Sequence, residues 1–455
     1  MQIAIIAIFV IALLLIATEQ VNSMNKAAVA MFAGTVCWLL YILWGADFVQ
    51  AEHQNELMNF LKERGEQLNS INVKEYIAEH VFLKYTLDAA GIVLFLLATA
   101  SIVEVLDNNG CFDFIHEGLY TKYPRRFLWG IGAVTFVISA NLDNLTTVCL
   151  MLALMHTLVA EERLRWVFGA VIVLAANCGG AFTVIGDTTS LTLWTQRLVT
   201  PTAYSFQLVL PCMAALSVVL LLFHRHLPHR MRLVRTLPPY RGDDTILNRW
   251  QRALMLVVGI GGLWFIPTFS RLTLLPPFLG ALLVLSVLWI VNELCNRHLL
   301  QADVMVRRRQ PLALQYQNIQ NILFFIGMTL AVGAVNESGL LPDFCAWTTR
   351  YVHNIYAVGT SAAALSAFAG NVPTMLANIA AFSHATGADY AQNGLFWPLL
   401  SYCTAVGGSA LAAGTLAGFA LWRMEGVTLR WYVRHFLPKL LIGFVAGLGV
   451  FYLMA

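Results

Sequence analysis

Apolar runs long enough to cross a lipid bilayer recur along the whole sequence. A membrane-crossing helix needs about 20 predominantly apolar residues, and backbone groups inside a bilayer must be satisfied within the helix itself. Only 12% of the 455 residues are charged, whereas a soluble chain carries about 25%. The sequence therefore predicts an all-α polytopic membrane protein. The apolar runs are Ile3–Ala17, Ala28–Leu43, Gly91–Val105, Phe206–Phe223, Leu254–Ile266, Leu274–Val291, Ile322–Val335 and Leu440–Met454.

The distribution of charge between these runs predicts which loops face the cytoplasm. Cytoplasmic loops carry an excess of Lys and Arg. Leu221–Arg252 and Arg297–Arg309 are strongly basic and are separated by two apolar runs, so both can be cytoplasmic. Gly45–His80 holds more acidic than basic residues, and we place it outside as a loop. One crossing at about Tyr85–Leu106 then leads to the basic, cytoplasmic segment Lys122–Arg126.

Polar residues and glycines interrupt two apolar stretches of the first half. Phe127–Val159 is broken at Ser139–Asn144 and has basic residues near both ends, which predicts a re-entrant hairpin that starts and ends on the cytoplasmic side. Trp166–Gln196 is broken around Gly179–Asp187, which predicts a discontinuous helix that crosses outward. Non-helical backbone at membrane depth persists only where protein or a water-filled cavity satisfies it.

The second half repeats this pattern at an offset of 227 to 229 residues. The first repeat begins outside and the second begins inside, so we expect the two repeats to be inverted. Inverted repeats with discontinuous helices place substrates and ions near the bilayer midplane. The matching residues are Gly110 and Gly339, Ser139 and Ser366, Asn144 and Asn371, Thr147 and Thr374, Gly180 and Gly408, and Gly186 and Gly414.

Four parts of the chain follow from this organisation. Residues 1–80 would form two N-terminal helices and an outside loop, and residues 81–224 the first repeat. Residues 225–317 would hold the basic cytoplasmic loops and two linking helices. Residues 318–455 would form the second, inverted repeat, and the tips at Asn144 and Asn371 would meet from opposite faces of the membrane.

The interruptions gather polar side chains that suit a small cation. Carboxylates at membrane depth are costly and usually functional, and hard cations take oxygen ligands. An aspartate can also bind a proton, because burial disfavours its charged form. One carboxylate could then serve Na⁺ and H⁺ alternately. The alternative is that these residues only cap helices or join them. The candidates are Ser139, Asp143, Asn144, Asn177, Asp187, Thr188, Thr189, Ser190, Ser366, Asn371, Thr374, Ser409 and Thr415, with Na⁺ expected at Asp143, Asn144 and Asp187.

The two repeats differ in charge. Gly370 stands where Asp143 stands in the first repeat, and Thr415 stands where Asp187 does. We therefore expect the ion chemistry to depend mainly on Asp143 and Asp187. Away from the interruptions, Glu104 and Asp107 are i, i+3 neighbours near a helix end. They fit either a proton relay or pH sensor, or a solvated helix end.

Other functional classes have little support in the sequence. The eight cysteines include no CxxC pair and no metal-ligand spacing, so we interpret them as small core residues. No phosphate-binding loop, nucleophile triad or metalloprotease motif is present. We expect no enzymatic activity, no cofactor and no nucleic-acid partner.

Two long segments resemble the signatures of the NhaD-type sodium/proton antiporters of the ion transporter superfamily. They are SANLDNLTTVCLML (Ser139–Leu152) and NCGGAFTVIGDTTSLTLW (Asn177–Trp194). The resemblance implies exchange of Na⁺ or Li⁺ for H⁺ by a multi-pass protein of the plasma membrane, the inner membrane in a bacterium. It also implies a possible homodimer that forms through helices outside the site. The residues it implicates are Asp143, Asn144, Asn177, Asp187, Thr189 and Ser190 at the cation site, with roles for Ser139, Glu104, Asp107, Ser366 and Asn371.

The sequence departs from that family's pattern in its second half. Gly370 and Asn318 stand where the family typically has Asp. Two alternatives therefore stay open. One is a sodium-coupled symporter of a dicarboxylate, sulfate or arsenite-like oxyanion, which the neutral second half and helix N-termini could hold. The other is a homologue that no longer transports. Asp143 and the GDTTS segment count against the symporter.

Overall fold

The computed structural model describes residues 1–22, 24–65, 67–233, 247–296, 312–412 and 414–455. Within these ranges the side chains of residues 20, 21, 51, 52 and 312–318 are not described. Several residues used above to predict topology or family resemblance therefore lie outside the description. They are Arg235, Arg241, Arg297, Arg307–Arg309 and the side chain of Asn318.

Every extended element of the described chain is a helix; the one β-type contact among those residues is an isolated bridge between Val159 and Leu233. Eight of the described helices have the length and apolar composition to cross a membrane. The prediction of an all-α polytopic membrane protein is confirmed. These eight helices are Lys26–Trp44, Ser70–Asn108, Glu162–Ala181, Pro201–His224, Arg249–Thr273, Pro277–Cys295, Ile319–Glu337 and Leu429–Met454.

The helices of the first half include two pairs separated by short non-helical segments. Their bounds are α1 Gln2–Ala17, α2 Glu19–Asn22, α3 Lys26–Trp44, α4 Ala46–Glu52, α5 Gln54–Arg64, α6 Ser70–Tyr76, α7 Leu83–Asn108, α8 Asp113–Leu119, α9 Pro124–Ser139, α10 Asn144–Leu158, α11 Glu162–Ala181, α12 Thr188–Thr195 and α13 Pro201–His224. A π-helical turn, Ile77–Phe82, joins α6 to α7 without a break.

The remaining helices contain a second set of interrupted pairs. Their bounds are α14 Arg249–Leu256, α15 Gly262–Thr273, α16 Pro277–Cys295, α17 Leu312–Glu337, α18 Leu340–Tyr351, α19 Ile355–Ala369, α20 Asn371–Phe382, α21 Phe396–Gly408, α22 Leu416–Glu425, α23 Leu429–Trp431 and α24 Leu437–Met454. The π-helical turns Val257–Gly261 and Tyr432–Phe436 join α14 to α15 and α23 to α24, and Ala388–Tyr390 is a 3₁₀ turn.

The acidic segment Gly45–His80, predicted as a loop, is largely helical. It contains α4, α5 and α6. The helix α5 ends where Gly65 takes a left-handed backbone conformation, φ 68°, which glycine adopts without steric cost. Leu57, Phe60 and Leu61 are buried, and the rings of Phe60 and Tyr76 lie 5.6 Å apart. Contact with α6 therefore gives α5 an apolar face to bury, which the charge pattern alone did not reveal.

Four short non-helical segments lie within the apolar stretches. We call 140–143 the first tip, Gly370 the second tip, 182–187 the first break and 409–415 the second break; residue 413 is not described. Local chemistry explains the two tips. Asp143 accepts hydrogen bonds from the first backbone N–H groups of α10, and Gly370 has φ 100°, where helix cannot continue.

The helices that end at the breaks form the centre of the protein. Every residue from Phe168 to Ala181 of α11 is buried, as is every residue of α21. The helix α9 packs on α11 and α19 packs on α21, while α10 packs on α22 and α12 packs on α20. A buried carboxylate reinforces the α10–α22 contact, because Glu425 pairs with Arg165 at 2.8 Å and His156 at 3.0 Å.

Candidate functional site

The carboxylate of Asp143 lies at the N-terminus of α10. Its Oδ2 atom accepts hydrogen bonds from the backbone N–H groups of Leu145 (3.2 Å) and Thr146 (3.4 Å). Its Oδ1 atom is buried and has no hydrogen-bond partner among the described residues. Capping of α10 thus accounts for the hydrogen bonds of one carboxylate oxygen, Oδ2. A buried polar atom without a partner is costly and needs an explanation, and a bound cation or proton would supply one.

The carboxylate of Asp187 joins the first break to the second tip. Asp187 is buried at the N-terminus of α12. Its Oδ2 atom accepts hydrogen bonds from the Thr189 hydroxyl at 2.9 Å and from the Asn371 side-chain amide at 3.3 Å. The predicted candidates Asp187, Thr189 and Asn371 are therefore brought together, although Asn371 comes from the other half of the chain.

The side chain of Asn177 joins the first tip to the second break. Its Oδ1 atom accepts a hydrogen bond from the Asn144 amide at 3.2 Å. Its own amide donates to the Ser409 hydroxyl at 2.8 Å and to the Thr415 hydroxyl at 3.3 Å. Thr415 also caps α22 by accepting from the Gly418 backbone N–H at 3.0 Å. One buried amide thus connects polar groups from three chain segments.

The hydroxyls of three candidate serines donate hydrogen bonds to backbone carbonyl groups. Ser139 donates to the Ala176 carbonyl, and Ser366 donates to the Thr404 carbonyl, both at 2.7 Å. Ser190 donates to the Asp187 carbonyl at 2.9 Å. A hydroxyl that donates its proton keeps acceptor lone pairs, so these contacts are compatible with either a structural or a ligand role. Thr188 is buried, and its carbonyl accepts from the Thr192 hydroxyl at 2.8 Å.

Two matching threonines near the tips have hydroxyls with no partner. Thr147 Oγ1 and Thr374 Oγ1 are buried and make no hydrogen bond to the described part of the chain. They occupy equivalent positions, 227 residues apart. Together with Asn141 Oδ1 and Asp143 Oδ1 they give four buried oxygens near the two tips that have no partner among the described residues. Oxygen atoms of this kind are what a hard cation takes as ligands.

The electrostatics of the region favour positive charge. Asp143 and Asp187 place two carboxylates at the N-termini of α10 and α12. The N-termini of α10, α12, α20 and α22, which carry partial positive charge, all begin at the tips and breaks and stabilise these carboxylates in part. A bound cation or a proton would neutralise remaining negative charge.

Glu104 and Asp107 lie elsewhere. Both are half-buried in the last two turns of α7. Nearby, Asn109 donates to Asn292 of α16 at 2.8 Å. The helix α7 packs on α16, and the role of Glu104 and Asp107 as a relay or sensor stays a prediction.

Two buried tyrosines beside the breaks were missed by sequence reasoning. Tyr204 and Tyr432 are 228 residues apart, which is the same offset that relates the tips and breaks. This spacing is the sequence signal from which the two tyrosines could have been identified as a pair. Neither residue stands out by composition, because each lies in an apolar helix where an aromatic side chain is ordinarily a core residue.

Comparison with known proteins agrees with this architecture. A family model described as "Citrate transporter" matches residues 1–407. The chain is 33% identical over 364 residues to sodium/proton antiporter 2 of Arabidopsis thaliana, covering 80% of this chain and 85% of that one. It is 32% identical over 371 residues to sodium/proton antiporter 1 of the same plant, covering 80% of this chain but only 62% of that protein, less than two thirds of its length.

A bacterial relative extends the match to nearly the whole chain. The Na⁺/H⁺ antiporter NhaD of Alkalimonas amylolytica is 25% identical over 479 residues, covering 98% of this chain and 89% of that one. The resemblance to NhaD-type antiporters is thereby confirmed. The matches indicate a transporter rather than an enzyme.

Proposed function

This chain belongs to the citrate transporter family, and we propose that it exchanges Na⁺, or Li⁺, for protons across the plasma membrane. Three relatives named as sodium/proton antiporters support the reaction class. The observation that carries the proposal is the buried, unpartnered Oδ1 atom of Asp143. Asp187 supplies a second buried carboxylate, at the end of the first break.

Competition for these carboxylates would couple the two ions. Na⁺ would bind at Asp143, Asn144 and Asp187, and Thr189 and Asn371 would hold Asp187 in place through its Oδ2 atom. When Na⁺ leaves, protonation of a carboxylate would remove the same negative charge. The empty, charged site would be the costly state, so the site would change its access from one face to the other only with Na⁺ or a proton bound, and the net reaction would be an exchange of the two ions.

We further propose that residues 81–224 and 318–455 are inverted repeats whose tips are re-entrant. The equivalent hydrogen bonds of Ser139 and Ser366, both 2.7 Å long, support this. So does the close approach at two equivalent glycines. A Cβ atom added to Gly186 would lie 2.5 Å from the Ser139 carbonyl oxygen, and one added to Gly414 would lie 2.7 Å from the Ala367 carbonyl oxygen.

A sodium-coupled symporter of a carboxylate or oxyanion is the second candidate. The description of the matching family favours it, as does the neutral second tip, where α20 begins at Asn371 beside the unpartnered Thr374 hydroxyl. Helix N-termini attract anions. Asp143 and Asp187 would repel one, so this reading predicts that the anion binds at the second tip only.

Transport in proteoliposomes separates these functions. We expect addition of Na⁺ or Li⁺, but not K⁺, to dissipate an imposed proton gradient. Asp143→Asn should abolish the response, and Glu117→Gln, an exposed acid on α8, should keep it. Labelled citrate, sulfate and arsenite uptake is measured in the same vesicles. Anion uptake that Na⁺ stimulates, without a proton response, would establish the symporter. No response to either ion class, with no Na⁺ binding in calorimetry, would indicate a homologue that does not transport.

A further inference from the structure

Two buried tyrosines occupy equivalent positions in the two halves of the chain. Tyr204 lies in the first turn of α13, and Tyr432 begins the π-helical turn before α24. Both side chains are fully buried. A buried tyrosine normally needs a partner for its hydroxyl, so the partner shows what the residue does beyond filling space.

The Tyr432 hydroxyl holds the backbone of the second break. It donates a hydrogen bond to the Ser409 carbonyl at 2.9 Å. Ser409 follows the last residue of α21, where carbonyl groups lose their helical partners. The hydroxyl of the same Ser409 accepts from Asn177. Tyr432 therefore fixes the residue through which Asn177 reaches the second break.

The Tyr204 hydroxyl has a different kind of partner. It shares a hydrogen bond with the Ser401 hydroxyl at 2.5 Å, within α21, the helix that ends at the second break. Tyr204 therefore matches Tyr432 in its position in the repeat but not in the group that its hydroxyl contacts.

We propose that Tyr432 is a positioning residue that holds the second break in the geometry needed for cation binding. The proposal rests on the proposed function for its transport readout. The Tyr432 hydroxyl does not need to touch the ion. It acts through Ser409, so removing the hydroxyl should loosen the site and leave the packing of the ring in place.

Phenylalanine variants test this with a matched control. Tyr402→Phe removes a hydroxyl of the same kind, since buried Tyr402 donates to the Phe444 carbonyl of α24 at 2.8 Å, away from the breaks. A neutral hydrogen bond contributes about 0.5–1.5 kcal/mol. We therefore expect Tyr432→Phe to raise the apparent KM for Na⁺ about three- to tenfold, with the maximal rate little changed. Tyr402→Phe should keep the wild-type KM.

Hydrogen–deuterium exchange in detergent gives a readout that does not depend on transport. Tyr432→Phe should accelerate exchange around 409–415, and Tyr402→Phe should not. Equal KM values and equal exchange at the second break in these two variants would overturn the proposal. Accelerated exchange at the breaks in a protein that moves no Na⁺ would support the positioning role and reject the antiporter.

Discussion

The side-chain amide of Asn177 donates a hydrogen bond to the Ser409 hydroxyl at 2.8 Å. The two residues lie in different halves of the chain, near the C-terminal end of the buried helix α11 and at the start of the second break. Because Asn177 also accepts from Asn144, one side chain connects the start of α10 with the second break.

Replacing Asn177 should therefore weaken Na⁺ binding strongly. Asn177→Ala removes hydrogen bonds to three buried groups, each contributing about 0.5–1.5 kcal/mol, so we expect the apparent KM for Na⁺ to rise at least about tenfold. Asn378→Ala is the control, since Asn378 is also buried but donates only to the Thr374 carbonyl of its own helix. A KM for Asn177→Ala no higher than that of the control would contradict the connecting role.

Removing the charge of Asp143 should increase stability while it abolishes transport. Asparagine caps a helix about as well as aspartate does, and the substitution takes a charge away from a buried oxygen without a partner. We expect Asp143→Asn to melt at a higher temperature than the wild type in Na⁺-free detergent. Added Na⁺ should raise the melting temperature of the wild type but not of the variant. Asp343→Asn, an exposed acid on α18, should behave as the wild type does; a Na⁺-induced shift in Asp143→Asn would place the cation elsewhere.

The imidazole of His53 should make the packing of α4 and α5 on α17 pH-dependent. Its Nε2 atom lies 2.9 Å from Glu337 Oε2, Glu56 lies 3.6 Å from the other ring nitrogen, and Tyr85 donates to Glu337 at 2.7 Å. The hydrogen bond to Glu337 raises the pKa of His53 above its ordinary value. The stabilising contribution of the His53–Glu337 pair is therefore complete below about pH 6.5. It is lost as the pH rises through the raised pKa of His53.

Melting temperature measured against pH tests this contact. The wild type should lose stability as the pH rises above neutral, and His53→Gln should lose less over the same interval. His384→Gln, which changes an exposed histidine, should follow the wild-type curve. If His53→Gln and the wild type show the same pH dependence, the pair does not contribute to stability.

The backbone of Gly370 should not tolerate a side chain. Its φ of 100° is one that residues with a Cβ atom rarely adopt, although the nearest atom to an added Cβ, Pro373 Cδ, is 3.5 Å away. The cost is therefore backbone strain of about 1–3 kcal/mol rather than a clash. We expect Gly370→Ala to lower the melting temperature and, by moving Asn371, to raise the KM for Na⁺. Gly118→Ala on α8 meets no atom within 4 Å and should change neither.

Gly370 also shows why a family pattern cannot be transferred position by position. The resemblance to NhaD-type antiporters implies an aspartate at this position, where this chain has glycine, and so a simple loss of a ligand. The structure shows that glycine at this position permits a backbone conformation that an aspartate would find strained. The substitution changes the shape of the second tip as well as its charge, so restoring the carboxylate alone should not restore the related site.

The sequence by itself determined the helical, multi-pass architecture and the interruptions, because apolar run length, glycine and a capping aspartate act over a few neighbouring residues. It predicted an interruption at Ser139–Asn144, where α9 ends at Ser139 and α10 begins at Asn144. Tertiary structure decided which polar groups meet. Asn177 with Ser409, Asp187 with Asn371, and the hydroxyl partners of Tyr204 and Tyr432 depend on how helices far apart in the chain cross. No local pattern encodes such a crossing, because it results from the packing of the whole bundle.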